Sequence, residues 1–179
     1  VELTLDDFDR ISRKVPFICN LQPSGKYPIV SLDAVGGIPA VLKTIQQDLY
    51  TDALTVAGKK LDELLAPITV QHGDVLKTLE APQKPEGGIA VLHGNLAPRG
   101  AVVKQSGVKE SMYHFTGKAR VFDSMEETDA ALSAGEIEKG TVIVIRYEGP
   151  KGGPGMREML STTALIMGRG MDEEVALVT

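Results

Sequence analysis

The segment with the clearest potential for chemistry is a glycine-rich stretch that joins an apolar run to a helical pattern. Residues 141–147 are β-branched and almost all apolar, which predicts a strand buried on both faces. Residues 148–155 follow with four glycines, and a helix is predicted from about Met156 to Met167 with Gly168 as its stop. Glycines let the backbone approach a ligand, and the free N–H groups of a helix N-terminus attract anions. As a bare pattern, a glycine-rich turn after a strand favours a purely structural turn, with an anion-binding loop as the alternative.

The spacing of these glycines excludes the two common phosphate-binding loops. A Walker loop requires Gly-Lys-Ser or Gly-Lys-Thr, and Lys151 here precedes the glycines. A dinucleotide fingerprint requires a third glycine at the position that Glu158 occupies after Gly153 and Gly155. Glu158 lies in the first turn of the predicted helix, where the helix dipole favours a carboxylate. Because Mg²⁺ binds one or two carboxylates and completes its shell with water and substrate oxygens, Glu158 is also a candidate metal ligand.

The other metal-ligating and nucleophilic side chains are scattered along the sequence. His72, His93 and His114 lie in separate segments without His-x-His or His-x-x-x-His spacing, so each is interpreted as a surface or hydrogen-bonded side chain rather than a ligand. The single cysteine, Cys19, excludes an intrachain disulfide and a cysteine-only iron–sulfur site. A lone thiol in an apolar patch is typically inert. A chain with a single cysteine is typical of a reducing compartment.

The composition of the 179 residues narrows the classes of function. A total of 19 Lys and Arg against 24 Asp and Glu gives a formal charge of −5, so no basic surplus is available for binding nucleic acid. Apolar residues at 42% and charged residues at 24% are typical of a globular protein. No apolar stretch approaches the roughly 20 residues of a membrane span. The sequence therefore predicts one or two globular domains with no nucleic-acid or membrane partner.

The elements that must position these residues fall into a helical first part and a strand-rich second part. Helices are predicted after a Thr4 cap, from Gly37 along an apolar stripe to Leu49, and over 59–65. No period survives between residues 66 and 88, where prolines interrupt the chain. Beyond that stretch five strands are predicted, over 89–92, 101–103, 119–122, 141–147 and 175–179. A helix capped by Ser124 is predicted between the third and the fourth of these strands.

One long motif and several shorter ones carry a resemblance to a known family. The long motif runs from Val144 to Leu160 and contains the double glycine and a Gly-Met-Arg-Glu-Met run. The shorter ones are Asp7–Ile11, Lys14–Pro16, Pro23–Tyr27, Gly36–Pro39, Thr55–Lys59, Gly87–Ala97, Gly100–Lys104 and Phe115–Phe122. Together they resemble the dihydroxy-acid dehydratase family, which includes 6-phosphogluconate and sugar-acid dehydratases. The long motif is most similar to the members of the branched-chain amino-acid pathway.

The resemblance implies an α/β (α+β) fold in three parts. Residues 1–66 are expected to form the helical end of an N-terminal α/β domain, and residues 67–85 a linker. Residues 86–179 are expected to form an incomplete, swivelling β-barrel-like C-terminal domain with flanking helices. Because the family's full chain is considerably longer, the sequence is expected to be a truncated fragment.

The resemblance also implies a hydro-lyase reaction, in which a 2,3-dihydroxy acid loses water and becomes a 2-oxo acid. Family members use Mg²⁺ and an iron–sulfur cluster as Lewis acids. Glu158 is expected to be one Mg²⁺ ligand, and Gly152, Gly153 and Gly155 are expected to shape the loop that carries it. The catalytic serine is expected beyond Thr179. The cluster cysteines and the remaining Mg²⁺ ligands are expected in a part of the family chain that this sequence lacks.

The expected partners and location follow from the same resemblance. A small dihydroxy acid is the expected ligand and a homodimer is the expected assembly, in the cytoplasm or in an organelle of a eukaryote. The chain alone is expected to be inactive, and Cys19 matches none of the family's cluster cysteines. Two alternatives stay open: a fragment of a sugar-acid or phosphogluconate dehydratase, and a non-catalytic module that binds a carboxylate or a partner protein.

Overall fold

The computed structural model describes residues 2–149 and 159–179, which form two compact units. Unit 1 ends at Gly107 and unit 2 begins at Val108. The helices are α1 (Leu5–Ser12), α2 (Val30–Asp33), α3 (Gly37–Thr44), α4 (Leu61–Leu65), α5 (Met125–Ala134) and α6 (Leu160–Gly168). The strands are β1 (Ala90–Leu92), β2 (Ala101–Val103), β3 (Lys118–Phe122), β4 (Thr141–Ile145) and β5 (Ala176–Val178).

The first predicted helix is confirmed together with its cap. The Thr4 hydroxyl accepts a hydrogen bond from the Asp7 backbone N–H at 3.3 Å, and the Asp7 carboxylate accepts one from the Thr4 backbone N–H at 3.1 Å. This reciprocal capping box satisfies two free N–H groups at the helix start. No residue of α1 is buried, although Phe8 and Ile11 lie on one face of it. The helix is therefore stabilised at its end more than by packing.

The second and third predicted helices are confirmed with shorter bounds. α3 begins at Gly37 as expected but ends at Thr44, and the apolar stripe continues through a 3₁₀ turn at Gln46–Asp48. α4 covers only the last five residues of its predicted range. The sequence pattern does not predict α2, because four residues are too few to establish a helical period.

Unit 1 has a small core to which an extended segment contributes. Ile18, Ala40 and Leu76 form its buried cluster. Leu76 lies in the segment predicted as a linker, residues 67–85, which has no helix or strand. An isolated β-bridge pairs Leu76 with Cys19 and holds its side chain in the cluster. A stretch without periodic structure therefore supplies a fully buried side chain.

The antiparallel pair β1–β2 also belongs to unit 1. Val91 lies opposite Val102 in this pair, and β1 packs against α1. The Asp9 carboxylate of α1 accepts a hydrogen bond from the Val91 backbone N–H at 3.1 Å. The Ser12 hydroxyl donates to the Ile89 carbonyl at 2.5 Å. Polar contacts from one face of α1 thus fix the edge of this hairpin.

Unit 2 is a β-α-β-α-β arrangement around a parallel sheet. The strand order is β3-β4-β5, with Val121 opposite Val144 and Val144 opposite Val178. Parallel neighbours need a crossover connection, and α5 and α6 lie in the two crossovers. α5 begins after the Ser124 cap and ends at Gly135 in the left-handed conformation, as the sequence predicts.

One face of this sheet carries the core of unit 2. Ile143 and Ile145 of β4 are buried on this face, whereas Val142 and Val144 on the opposite face are half-buried. The prediction that this strand is buried on both faces is therefore wrong. Side chains from α5, α6 and all three strand regions complete the core, which consists of Phe122, Ala131, Leu132, Ile137, Ile143, Ile145, Met159, Ile166 and Val175.

The α+β class is confirmed, whereas a closed barrel is not seen in the described part of the chain. The two sheets there have two and three strands, and both are open. The division into residues 1–66, 67–85 and 86–179 stays a prediction. Across residues 2–149 and 159–179 the longest helix has ten residues, and none has both the length and the apolar character needed to cross a bilayer.

Candidate functional site

The candidate site lies at one edge of the unit 2 sheet. Because β3, β4 and β5 are parallel, their carboxyl ends meet at the same edge, and ligands of open α/β sheets bind at this edge. β4 leads through Arg146 and Gly149 towards the glycine-rich segment. Residues 150–158, with the predicted site residues Gly152, Gly153, Gly155 and Glu158, lie outside the described residues. The chain is described again from Met159, directly before α6.

The backbone turns sharply where it leaves β4. Tyr147 has a φ of 65°, in the left-handed region that non-glycine residues rarely adopt. Its side chain is 77% exposed, so burial does not explain the conformation. The Arg146 guanidinium lies 5.0 Å from the centre of the Tyr147 ring, within range of a cation–π contact. Strained residues of this kind are concentrated at ligand sites and turns.

An ion pair joins the carboxyl ends of β3 and β4. Arg146 donates from Nε at 2.8 Å and from Nη2 at 2.5 Å to the same Asp123 oxygen. The hydrogen bond to Asp123 raises the pKa of Arg146 above its ordinary value. Both side chains are about half exposed, so the pair orients two strand ends more than it stabilises the unit. The cation at this edge is therefore already balanced by a carboxylate.

Glu148 fixes the start of the glycine-rich segment on α5. Glu148 is 9% exposed, and its Oε1 accepts a hydrogen bond from the Met125 backbone N–H at 3.0 Å. Met125 is the first residue of α5, where backbone N–H groups lack partners within the helix. A carboxylate at this position is also favoured by the helix dipole.

Asp129 holds the start of α6 on the same helix. Ser161 donates to one Asp129 oxygen at 2.7 Å, and Thr162 donates to the other at 2.6 Å. Thr162 is 0% exposed, and the preceding Met159 belongs to the unit 2 core. Both described flanks of the glycine-rich segment are thus attached to α5.

The histidines and the cysteine are not brought together. His72 Nε2 lies 3.1 Å from the Thr44 hydroxyl, and His93 Nε2 lies 3.4 Å from an Asp6 oxygen. Burial raises the pKa of the half-buried Cys19 thiol, which disfavours the thiolate that metals and electrophiles require.

The described residues do not fit a complete metal site. No group of three His, Cys, Asp or Glu side chains converges within 2–149 and 159–179. One isolated cysteine cannot supply the ligand set of an iron–sulfur cluster. Glu158 lies outside the described residues, and the described residues supply a complete ligand set for neither Mg²⁺ nor an iron–sulfur cluster.

Sequence patterns do not indicate Glu148 and Asp129 as site residues. Glu148 could be found from its position directly after the predicted strand over 141–147, because ligands of open α/β sheets bind at the carboxyl ends of the strands. Asp129 has no such signal, since its partners Ser161 and Thr162 lie 32 and 33 residues further along the chain.

Comparison with known proteins assigns the chain to a family. The model of the dihydroxy-acid/6-phosphogluconate dehydratase N-terminal domain matches residues 1–64. The model of the C-terminal domain of the same family matches residues 74–179, more than half of the chain. The chain therefore belongs to the dihydroxy-acid/6-phosphogluconate dehydratase family.

Individual relatives are similar over the full length of the chain. Proteins named dihydroxy-acid dehydratase from Ignicoccus hospitalis and Caldanaerobacter subterraneus are 53% and 51% identical to it over 181 residues. The one from Methanothermobacter thermautotrophicus is 49% identical over 179 residues. Each comparison covers 100% of this chain but only 33% or 32% of the relative. The chain thus spans about a third of the length of these relatives.

Proposed function

We propose that this chain acts as part of a longer hydro-lyase, which dehydrates a 2,3-dihydroxy carboxylic acid to a 2-oxo acid in branched-chain amino-acid biosynthesis. The observation that carries the proposal is the identity of about half of all positions, along the entire chain, with proteins named dihydroxy-acid dehydratase. The share of each relative that is covered supports a role as one part of a composite site. The chain by itself is expected to be inactive.

The contribution of this chain to the proposed site is one Mg²⁺ ligand, Glu158, on a loop shaped by Gly152, Gly153 and Gly155. The position of this loop between β4 and α6, after the carboxyl end of a parallel strand, supports the assignment. The proposed cofactors of the full-length enzyme are Mg²⁺ and an iron–sulfur cluster. Their other ligands and the catalytic serine belong to residues outside this sequence.

The finer features of the fold and the assembly belong to the same proposal. The face of the unit 2 sheet opposite its core is apolar, with Val121, Val142, Val144 and Val178 on it, and Val121 is 49% exposed. An apolar face of this kind supports the proposal that further strands of the full-length protein extend this sheet into a barrel. We place that protein in the cytoplasm, or in an organelle of a eukaryote, as a homodimer that binds a small dihydroxy acid.

A sugar-acid or phosphogluconate substrate is the second candidate. The family description names both dihydroxy-acid and 6-phosphogluconate dehydratases, which remove water from acids with the same 2,3-diol arrangement. The two candidates therefore share a reaction and differ in the side chain of the substrate.

The test is an assay of the full-length gene product, loaded with its cofactors, on a branched 2,3-dihydroxy acid, a sugar acid and a phosphorylated sugar acid. Formation of the 2-oxo acid is measured for each substrate. We expect turnover of the branched acid, and a loss of at least about 100-fold in Glu158→Gln, because a direct ligand contributes at least as much as its outer-shell partners. Preference for a sugar acid would support the second candidate, and no turnover of any of the three would contradict both.

The matched control is Glu138→Gln. Glu138 is an exposed carboxylate of the same unit, outside the sheet edge that forms the candidate site. The change removes the same charge from unit 2 without touching the glycine-rich segment. We expect its turnover to equal that of the unchanged enzyme, and a comparable loss in both variants would remove Glu158 from the proposed site.

A further inference from the structure

We infer that an apolar groove in unit 1 is the docking surface for an apolar segment of the same polypeptide, from the part of the full-length protein that lies outside this sequence. The inference rests on the proposed function in one respect, since both require the chain to be part of a longer protein. It goes beyond that function because it assigns an interaction surface in unit 1, whereas the candidate site belongs to unit 2.

The groove has a volume of about 470 Å³ and is formed by two helices and the segments that follow them. Phe8 and Ile11 of α1 line it together with Val41 of α3 and the following Ile45. Phe8 is 50% exposed and Ile11 is 49% exposed, so large apolar side chains of the groove remain in contact with water. Continuous apolar surface of this kind marks a site of interaction in a folded protein.

The chemistry of the groove favours protein side chains over a small polar ligand. None of the described residues that line it is charged. Its polar side chains are Cys19 and Ser12, and the Ser12 hydroxyl already donates to the Ile89 carbonyl at 2.5 Å. Burial raises the pKa of the Cys19 thiol, which keeps it neutral. Sites for small ligands contain several polar groups that orient the ligand, whereas this groove offers only a neutral thiol.

The helix α1 needs a partner on its apolar face. It has eight residues, and isolated helices shorter than about 12 residues are marginal in water. Its charged side chains Asp7 and Arg10 pair with each other at 3.0 Å, whereas Phe8 and Ile11 line the groove. A second apolar layer on these two side chains supplies the burial that this amphipathic helix lacks.

The length of the relatives favours a segment of the same polypeptide over a second copy of the chain. The chain covers 33% of the relative from Ignicoccus hospitalis, so about two thirds of that relative lies outside the match. A segment on the same polypeptide is present at an effective concentration of roughly millimolar, which a second copy reaches only in concentrated solution. A two-fold contact would also set one concave groove against another, and two concave surfaces fill each other poorly.

The test is photo-cross-linking in the full-length gene product. The variant Phe8→p-benzoylphenylalanine carries the photoreactive group in the groove, and irradiated protein is separated by denaturing electrophoresis and analysed by peptide mass spectrometry. We expect a product with the mass of a single chain, in which position 8 is joined to an apolar peptide from outside residues 1–179.

The matched control is Arg10→p-benzoylphenylalanine on the same helix. Positions 8 and 10 are two residues apart, so their side chains point about 200° apart around α1, and Arg10 does not line the groove. We expect no cross-link above background from position 10. A product of doubled mass from position 8 would assign the groove to a second copy and overturn the inference. Cross-links only within residues 1–179, or equal cross-linking from both positions, would also overturn it.

A second measurement keeps the inference testable if the bulky photoreactive group prevents folding. Ile11→Thr and Ile38→Thr each place a hydroxyl on a helical isoleucine of unit 1, and both side chains are exposed within this unit, by 49% and 61%. Because only Ile11 lines the groove, we expect Ile11→Thr to raise hydrogen exchange in residues 5–12 of the full-length protein by about tenfold. Ile38→Thr is expected to change exchange in residues 37–44 by less than about threefold. Unaltered exchange in Ile11→Thr, or an equal rise in both variants, would overturn the inference.

The mass and the activity of the gene product separate this inference from the proposed function. A gene product no longer than this chain would remove both. If the product is longer and dehydrates a dihydroxy acid but position 8 gives no cross-link to an outside segment, only the docking surface fails. If the cross-link forms as expected and no dihydroxy acid is turned over, only the proposed function fails.

Discussion

Among the residues that the structure describes, the core of unit 2 contains nine buried apolar residues, although this unit spans only residues 108–179. The buried cluster of the longer unit 1 contains three. The difference lies in how the elements meet. In unit 2 a parallel sheet gives both helices one continuous surface to pack on. In unit 1 short helices and extended segments meet around a few side chains, and the apolar face of α1 stays exposed.

The lack of a sheet beneath the helices also explains why unit 1 has an apolar groove. A groove of about 470 Å³ lies between the exposed face of α1 and α3, with Phe8, Ile11, Val41 and Ile45 among its lining residues. Side chains of this kind would be buried if a sheet lay beneath them. Amphipathic helices therefore form a core only where a second layer is available to cover their apolar faces.

The largest expected difference between the units concerns their buried leucines. Leu132 and Leu76 are both 0% exposed, so the change to alanine removes the same buried atoms in each unit. We expect Leu132→Ala to lower the free energy of unfolding by about 4 kcal/mol and Leu76→Ala by about 2 to 3 kcal/mol, because a site without a rigid layer collapses more easily around the cavity. Hydrogen exchange in increasing denaturant, analysed by peptide, reports each unit separately.

The controls for these two variants are exposed leucines of the same units. Leu160→Ala in unit 2 and Leu96→Ala in unit 1 change side chains that are 66% and 67% exposed. Both are expected to stay within about 0.5 kcal/mol of the original chain. Equal losses in Leu132→Ala and Leu76→Ala would show that the smaller cluster is as rigid as the larger one.

The N-terminal caps of α1 and α5 were predictable, whereas the attachment of the candidate site was not. The Thr4 and Ser124 caps depend on residues three positions apart, so the signal is local and the sequence alone reveals it. The contacts of Glu148 with Met125 and of Asp129 with Thr162 join residues 23 and 33 positions apart. Such pairs depend on which strands are neighbours, and no local pattern contains that information.

The chemistry proposed for the site depends on a resemblance and stays a prediction. As a bare pattern, Glu158 after a glycine-rich run favoured interaction with the helix dipole over metal binding. The long motif from Val144 to Leu160 shifts the interpretation of Glu158 towards a metal ligand, and the family assignment supports the resemblance that the motif carries. Burial of β4 on one face only could not be predicted, because an apolar run does not reveal whether a second layer covers each face.

Substitutions at the two helix caps are expected to have effects of intermediate size on stability. Ser124→Ala and Thr4→Ala each remove a side-chain acceptor at a helix start and are expected to cost about 1 kcal/mol. α5 packs in the unit 2 core, so Ser124→Ala should lower the stability of the whole unit. α1 buries no residue, so Thr4→Ala should increase hydrogen exchange only within residues 5–12.

The substitutions Ser124→Thr and Thr4→Ser test the cause of this loss. Both keep a hydroxyl acceptor, so both should restore most of the protection. Global destabilisation of unit 1 by Thr4→Ala would show that α1 contributes more to that unit than its exposed side chains indicate.

The smallest expected effect is a difference in acid sensitivity between the units. In unit 2 the Lys109 ammonium donates to Asp172 at 2.7 Å and to Glu173 at 2.5 Å, and these hydrogen bonds lower the pKa of both carboxyl groups. Carboxyl groups with lowered pKa values stabilise the fold above their ordinary values of 3.8 and 4.5 and lose this contribution as the pH falls through the lowered values. The stability of unit 2 should therefore begin to decline below about pH 4.5.

In unit 1 the group with a lowered pKa is Asp7, which belongs to the α1 cap. Hydrogen bonds from the Thr4 backbone N–H and the Arg10 side chain lower the pKa of Asp7 from 3.8 to about 2, so its contribution to the α1 cap should be complete above pH 3.8 and be lost as the pH falls towards 2. Lys109→Met should flatten the dependence of unit 2 stability on pH below 4.5 without altering hydrogen exchange in α1. Because all these groups are at the surface, the change should be smaller than that of either cap variant, and salt should reduce it further. An unchanged slope in Lys109→Met would assign the acid sensitivity of unit 2 to carboxyl groups other than Asp172 and Glu173.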